Sequence, residues 1–266
     1  MKLLPTPAQI FLPLVVGCFV LASAPRCTQA QCPDATLVFS NVTSVEGKPF
    51  QAREITKIAR YTGDGTPRVV VTKSNLFRDS KGRIRVERFY DGTDNPSEDT
   101  PSDISIYDHC GRGVILLPAT RKAKIQEIAL PKGPYRPYCE VFDPLDLPKP
   151  GPSGKFEYLG HKWIEGVEVL GQRTTEYGST HAKSSGAPPV HVYESWCSSS
   201  LDNLISSFVL DDKPKREITT LVSDVKLIEP NSLLFEIPQG YTMTSANPYS
   251  ASPARERDLS QTADRP

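Results

Sequence analysis

The sequence predicts a mainly β protein in which one antiparallel sheet curves into a half-barrel, accompanied by few short helices. Three observations support this fold class. Apolar and polar residues alternate in short runs, clusters of Gly, Pro, Asn and Asp separate the runs, and no long amphipathic helical pattern occurs in the 266 residues. A series of neighbouring hairpins of this kind curls a sheet into a barrel or half-barrel.

The first half of the chain contains six predicted strands joined mostly by short turns. Gly63-Asp64-Gly65 follows the first strand, Ser80-Lys81-Gly82 forms a hairpin loop after the second, and Cys110-Gly111-Arg112 joins the fourth to the fifth. The predicted strands are Phe50–Tyr61, Arg68–Arg78, Arg83–Tyr90, Ile104–His109, Gly113–Leu117 and Lys122–Leu130.

A proline-rich segment interrupts this series. Pro131–Ser153 holds seven prolines, and proline cannot donate to the ladder of a central strand, so we expect an irregular crossing or a lid there. The polar residues 245–266 have no apolar period and predict a disordered tail. Between these segments the predicted strands are Phe156–Trp163, Val167–Thr175, Val190–Cys197, Leu204–Leu210, Glu217–Ile228 and Leu233–Ile237.

Residues 78–92, RDSKGRIRVERFYDG, carry four arginines and a lysine and raise the question of a nucleic-acid surface. Strand alternation places Ile84, Val86 and Tyr90 on an apolar face and most of the arginines on the opposite, solvated face. The chain has 31 basic and 31 acidic residues, without the net positive charge of a protein that tracks phosphates, so we expect no nucleic-acid partner. The predicted cross-strand pairs are Leu76–Val86, Arg78–Ile84, Phe77–Arg85 and Asn75–Glu87.

Residues 1–30 have the pattern of a secretory leader. A charged start at Lys2 precedes the apolar run of residues 10–24, and Thr28-Gln29-Ala30 offers small residues for cleavage before Gln31. The run is too short for a comfortable membrane span, so we expect no transmembrane anchor after cleavage. Residues 31–244 then form a single half-barrel domain, either periplasmic or secreted.

Two alternatives to this export route stay open. Ala22-Ser23-Ala24 is a second possible cleavage site, although Pro25 would then follow the cut. Val15-Val16-Gly17-Cys18 resembles a lipoprotein box, but the apolar run continues past Cys18, so a lipid anchor there is the less favoured outcome.

Cleavage after Ala30 leaves four cysteines, which allow three disulfide connectivities in an oxidising compartment. We predict that Cys110 pairs with Cys139, which ties the proline-rich segment to the sheet, and that Cys32 pairs with Cys197. The alternative joins Cys32 to one of the two middle cysteines and Cys197 to the other.

No residue pattern indicates a catalytic centre, a metal site or a cofactor. The four histidines form no close ligand pair, no Cys-x-x-Cys spacing occurs in the mature chain, and the glycine-containing turns lack a nucleotide fingerprint. A Gly-x-Ser-x-Gly elbow is also missing. The acidic loop 91–103 lacks the regular spacing of a calcium loop. We therefore predict a protein that is not an enzyme and that uses no cofactor or metal.

Four segments resemble exported bacterial proteins of the LolA/LolB-type lipoprotein-carrier superfamily. They are the RDSKGRIR hairpin, YLGHKWIEGVEVL at 158–170, VYESWCSSSL at 192–201 and LFEIP at 234–238, and the similarity extends roughly from Pro49 to Tyr241. The resemblance implies a curved sheet whose apolar concave side accepts acyl chains. The chain departs from that family in its proline-rich insertion, its four mature cysteines and the lack of a clear long N-terminal helix.

Two main functions are compatible with this pattern. The first is a binding module for a hydrophobic ligand, such as a lipid or a lipoprotein acyl chain, in the half-barrel. The second is a structural or protein-interaction module of the cell envelope, and a hydrolase without a sequence signature ranks third. The candidate ligand-contacting residues are Val70, Leu76, Ile84, Val86, Ile104, Ile106, Ile115, Leu117, Trp163 and Trp196.

Overall fold

The computed structural model describes residues 37–39, 41–128, 139 and 151–244. Most of these residues form one large, curved and unclosed sheet, which confirms the predicted mainly β fold. The strands are β1 (Val38–Phe39), β2 (Val42–Thr43), β3 (Phe50–Tyr61), β4 (Pro67–Arg78), β5 (Ile84–Phe89), β6 (Asp103–Tyr107), β7 (Arg112–Leu117), β8 (Lys122–Glu127), β9 (Gly154–Ile164), β10 (Val167–Glu176), β11 (His191–Ser198), β12 (Asn203–Asp212), β13 (Lys215–Lys226) and β14 (Thr242–Thr244).

The large sheet has the strand order β14-β8-β7-β6-β5-β4-β3-β13-β12-β11-β10-β9. Neighbouring strands are antiparallel except for β14, which runs parallel to β8. The first and last halves of the chain meet where β3 pairs with β13, so residues far apart in sequence become cross-strand neighbours. The helical content of the described residues is one short helix, α1 (Thr180–Ser184), and 3₁₀ turns at Pro118–Thr120 and Ser232–Phe235.

The β4–β5 hairpin has the predicted register. Leu76 lies opposite Val86 and Arg78 opposite Ile84, and the two remaining predicted pairs are also present. We call the side of the sheet that carries Leu76, Ile84 and Val86 the first face. Asp79 fixes the turn because its carboxylate accepts hydrogen bonds from the backbone amides of Lys81 and Arg83, and Gly82 adopts the positive φ that the loop requires.

The part of the first face near the β4–β5 turn, which we call its lower part, is covered by the protein's own core, and we call this the closed core. The β1–β2 hairpin lies on it, and fourteen buried apolar side chains from this hairpin, the sheet and the turn after β11 form one cluster. Arg78 is fully buried beside this cluster, where its guanidinium donates to the backbone oxygens of Thr43, Lys48 and Leu201 at 2.6–2.7 Å. The arginine therefore joins β2, the β2–β3 loop and the β11–β12 turn to the sheet.

The second face of β5–β8 carries a smaller core that the sequence analysis did not predict. Ile104, Ile106, Val114, Leu116 and Ala123 pack there against Phe235 of the C-terminal 3₁₀ turn. The predicted strand Leu233–Ile237 is wrong, because the Asn231 side chain accepts a hydrogen bond from the Leu233 amide and starts a 3₁₀ turn instead.

This C-terminal cover also corrects the interpretation of the arginines as a solvated face. Arg85 is only 7% exposed, because its guanidinium donates to the backbone oxygen of Leu234 at 2.7 Å and to the Glu87 carboxylate at 2.7–2.8 Å. Arg83 lies over the Phe235 ring at 4.7 Å. The alternation was predicted correctly, but the segment that covers this face comes from far along the chain.

The predicted disulfide connectivity is wrong. Cys139 pairs with Cys197, which excludes both Cys110–Cys139 and Cys32–Cys197. The Cys139 amide donates to the Asp202 carboxylate at 2.9 Å, so this cysteine is anchored beside the β11–β12 turn and not at the β6–β7 turn. Cys110 is also disulfide-bonded.

Several sequence-based predictions lie outside the described residues. These are the leader 1–30, Cys32, most of the proline-rich segment and the tail 245–266.

Candidate functional site

Above the closed core, the first face carries a row of apolar side chains that runs across five neighbouring strands. Val70 lies opposite Ile58, Ile58 opposite Ile218, Ile218 opposite Val209, and Val209 opposite Tyr193. Residues directly opposite in antiparallel strands share one face of a sheet. All five side chains are half-buried. We call these five residues the apolar row.

A cleft of about 330 Å³ lies at one end of the apolar row. Ile58 and Val70 form part of its wall, and this volume is within the range of small-molecule sites. Two of its eight lining residues are thus aliphatic, and the other six carry polar or charged groups. Its other lining residues are Arg60, Thr72, Arg88, Tyr90, Ser102 and Asp103.

Arg88 lines the cleft from the first face of β5, where it is the charged residue two positions after Val86. Its guanidinium donates to the Asp103 carboxylate at 2.7 Å and to the Ser105 hydroxyl at 3.3 Å. The guanidinium carbon also lies 5.0 Å from the centre of the Phe39 ring, where a cation–π contact is favourable. Arg88 therefore links the sheet to the β1–β2 hairpin at the base of the cleft.

Glu54 is a buried carboxyl group on the same face. It is 6% exposed, and burial raises its pKa, whereas the hydrogen bond from the Asn41 amide at 2.9 Å and the charge of Arg88 act in the opposite direction. Because Asn41 lies between β1 and β2, this bond is a second tie between the hairpin and the sheet.

A row of charged side chains follows the apolar row toward the other end of the same strands. Arg68 lies opposite Arg60, Arg60 opposite Arg216, Arg216 opposite Asp211, and Asp211 opposite His191. The Asp211 carboxylate contacts His191 Nδ1 at 2.7 Å and accepts from Arg216 Nε at 2.8 Å. The hydrogen bonds from His191 and Arg216 lower the pKa of Asp211. We call these five residues the charged rim.

The structure distributes the predicted ligand-contacting residues over several environments. Val70 lines the cleft and belongs to the apolar row. Leu76, Ile84 and Val86 are fully buried in the closed core below it. A ligand therefore reaches these three side chains only if that core opens.

The other predicted residues lie farther from the cleft. Ile104 and Ile106 are on the second face, beneath the C-terminal 3₁₀ turn. The register places Ile115 opposite Ser105, which lies opposite Val86, so Ile115 is on the first face. Ile115 is half-buried there, and Leu117, two residues along β7, is 39% exposed.

The two tryptophans have different environments. Trp163, at the end of β9, is 72% exposed. Trp196 is 9% exposed, belongs to the cluster of fourteen buried apolar side chains and lies under the ammonium group of Lys162, 3.4 Å from the ring centre. Its indole N–H donates to Glu194 at 2.7 Å.

Sequence reasoning missed four members of the apolar row, which are Ile58, Tyr193, Val209 and Ile218. Each of the four lies in a predicted strand, and strand alternation predicts that each shares a face with the residues two positions away in its own strand. What the sequence does not contain is the pairing of β3 with β13, which brings these side chains into one row.

No family model matches the sequence, and no curated protein matches it. Solved structures do match, at low identity. An uncharacterized conserved protein from Thermus thermophilus is 10% identical with a TM-score of 0.41, over 75% of this chain and 91% of that one. The MucA/MucB complex of Pseudomonas aeruginosa is 13% identical (TM-score 0.38), over 72% of this chain and 56% of the matched chain. A LolA superfamily protein from Nitrosomonas europaea is 11% identical (TM-score 0.32), over 74% and 91%.

A LolA superfamily protein is thus among the solved structures to which the chain is similar. Within the described parts of the chain, no helix is long and apolar enough to cross a membrane. Those parts also contain no group of three or more His, Cys, Asp or Glu side chains arranged to hold a metal ion.

Proposed function

We propose that the protein binds a lipid acyl chain on the first face of its sheet and serves as an exported binding module of the cell envelope. The observation that carries the proposal is the apolar row beside the cleft. Its five side chains remain half-buried, whereas the apolar side chains lower on the same face are fully buried in the core.

The energetics favour an apolar chain on this surface. Each methylene removed from water contributes about 0.8 kcal/mol, so eight buried methylenes give about 6 kcal/mol before the entropic costs of binding. The row runs across five strands, and neighbouring strands lie about 4.8 Å apart, so it spans about 19 Å from the first strand to the fifth. That length accommodates an extended acyl chain.

The cellular location belongs to the same proposal. The leader pattern of residues 1–30 supports export to the periplasm or the exterior, with residues 31–244 as one domain. The Cys139–Cys197 disulfide is typical of an oxidising compartment.

The second candidate is a structural or protein-interaction module of the envelope. It is favoured by the closed core on the lower first face and by Trp163, a large aromatic side chain that is 72% exposed. On this alternative a protein partner covers the apolar row, and free lipids do not bind to it.

Two neighbouring valines provide a matched pair of variants. Val70 lines the cleft on the first face, and Val69 is 39% exposed on the opposite face of the same strand. A buried amide without a partner costs about 1–3 kcal/mol, so we expect Val70→Gln to weaken binding of a fluorescent long-chain fatty acid by about tenfold or more. Val69→Gln should bind like the wild type.

The titration is done on delipidated protein, and circular dichroism verifies that both variants are folded. Saturable binding that is sensitive at Val70 and insensitive at Val69 supports the proposal. If the wild-type protein does not bind the probe, or if both folded variants bind it equally well, acyl-chain binding at the cleft is refuted and the interaction module becomes the better account.

A further inference from the structure

Three arginines occupy directly opposed positions on three adjacent strands of the first face. Arg68 of β4 lies opposite Arg60 of β3, and Arg60 lies opposite Arg216 of β13. Side chains at such positions have Cβ atoms about 5 Å apart, and like charges placed directly opposite each other destabilise a sheet. The arrangement therefore places positive charge where folding alone disfavours it.

Only one of the three arginines has an acidic partner among the described residues. Arg216 is bonded to Asp211, and the same carboxylate also contacts His191. Arg60 and Arg68 form no salt bridge within the described parts of the chain. Asp103, the acidic group of the adjacent cleft, is already paired with Arg88 at 2.7 Å.

The unneutralised arginines are adjacent to the apolar row. Arg60 follows Ile58 by two residues in β3, and Arg68 precedes Val70 by two residues in β4, so each arginine shares the first face with its apolar neighbour. Two residues of strand correspond to about 6.6 Å. Arg60 also lines the cleft together with Ile58 and Val70. The positive charges of Arg60 and Arg68 thus border the apolar row, at a distance that a long arginine side chain can span.

We propose, resting on the proposed function, that the ligand is an anionic single-chain lipid whose head group is bound by Arg60 and Arg68 while its acyl chain lies along the apolar row. Guanidinium groups bind carboxylate and phosphate oxygens in bidentate geometry, and such charge-assisted bonds are stronger than neutral ones. Binding of the head group also removes the repulsion between the two arginines. The small volume of the cleft suits one chain better than two.

The test compares oleate with oleyl alcohol, which has the same chain and a neutral head. Binding to the full mature protein is measured by displacement of a fluorescent fatty acid, and inorganic phosphate is added in a separate titration as a free anion. We expect oleate to bind about tenfold or more tightly than oleyl alcohol, with an advantage that shrinks as salt is raised. Phosphate alone should not displace the probe at millimolar concentration.

The variants are Arg60→Gln and Arg68→Gln, with Arg53→Gln as the matched control. Arg53 is in the same strand as Arg60, is 59% exposed and faces the opposite side, where it pairs with Glu98 and Asp224. Loss of either rim arginine should weaken oleate binding about tenfold and leave the affinity for oleyl alcohol unchanged. Arg53→Gln should change neither affinity.

The outcomes separate this inference from the proposed function. If oleate and oleyl alcohol bind equally well, or if the rim variants keep the preference for oleate, the anionic head-group site is refuted while acyl-chain binding stands. If phosphate alone displaces the probe, the site recognises a free anion, and the lipid assignment is overturned. If neither long-chain compound binds, the proposed function itself fails, and this inference fails with it.

Discussion

Replacement of Arg78 by Met should strongly destabilise the protein, because one buried guanidinium joins strand β2, the β2–β3 loop and the β11–β12 turn. Its nitrogens donate to the backbone oxygens of Thr43, Lys48 and Leu201 at 2.7, 2.7 and 2.6 Å, and its side chain is 0% exposed. The guanidinium carbon also lies 4.7 Å from the centre of the Phe50 ring. Methionine has a similar length but offers no donor.

The expected magnitude follows from these contacts. A hydrogen bond to a charged group contributes about 1.5–3 kcal/mol, so three of them give about 4.5–9 kcal/mol. Removal of a buried charge returns several kcal/mol of desolvation free energy. The difference predicts that Arg78→Met lowers the free energy of unfolding by about 3 kcal/mol. Arg78→Lys should cost at least as much, because the charge stays buried while a single ammonium group cannot donate in all three directions.

Urea unfolding followed by circular dichroism measures the loss, with the disulfides kept intact. Arg53→Met is the control, because Arg53 is 59% exposed and its ion pairs at 3.6 and 3.7 Å contribute little. A change of less than about 1 kcal/mol for Arg78→Met would contradict the role that the hydrogen bonds assign to Arg78.

Three further predictions concern single contacts. Burial raises the pKa of Glu54, so the folded state binds its proton more tightly than the unfolded state and loses stability as pH rises above the usual range of a carboxyl group. Glu54→Gln carries no such proton and should therefore gain stability relative to the wild type as pH rises, and a pH-independent difference in urea midpoints would be the contrary result. A Cβ at Gly171 would lie 2.3–2.5 Å from the Trp196 ring, so Gly171→Ala should lower the free energy of unfolding by about 1–3 kcal/mol. The displaced ring should also change the near-ultraviolet circular dichroism, and an unchanged spectrum would speak against this packing. The double variant Cys139→Ser, Cys197→Ser removes a bridge between residues 58 apart, and chain entropy predicts that its free energy of unfolding falls by about 4 kcal/mol. Recovery of a Cys139–Cys197 peptide from the wild type in non-reducing mapping checks directly that the bridge forms.

Local features of the sheet were predictable from the sequence, because they depend on neighbours a few residues apart. The Ser80-Lys81-Gly82 loop set the β4–β5 register, and the predicted strand Phe50–Tyr61 has the same bounds in the structure. Glu165 and Gly166 both have positive φ and make the tight turn between the two strands that were predicted at residues 156–163 and 167–175.

Features that depend on distant parts of the chain were not predictable. The pairing of β3 with β13 builds the apolar row, yet alternation in Ile58 or Ile218 does not reveal which strand lies beside it. The burial of Arg85 likewise requires the C-terminal 3₁₀ turn, 149 residues away. The choice of Cys197 as partner of Cys139 depends on where Cys139 lies, and the hydrogen bond to Asp202 holds it beside the β11–β12 turn.

Photo-crosslinking with a long-chain fatty acid that carries a diazirine near the end of its chain locates the acyl chain on the protein and so tests whether it lies on the first face. We expect the labelled peptides to come from the strands of the apolar row, with adducts at or next to Ile58, Val70 or Ile218. We also expect excess oleate to suppress the labelling, and Val70→Gln to reduce it while Val69→Gln does not. Labelling confined to the opposite face of these strands, or labelling that oleate does not suppress, would contradict the claim that the first face is an acyl-chain site.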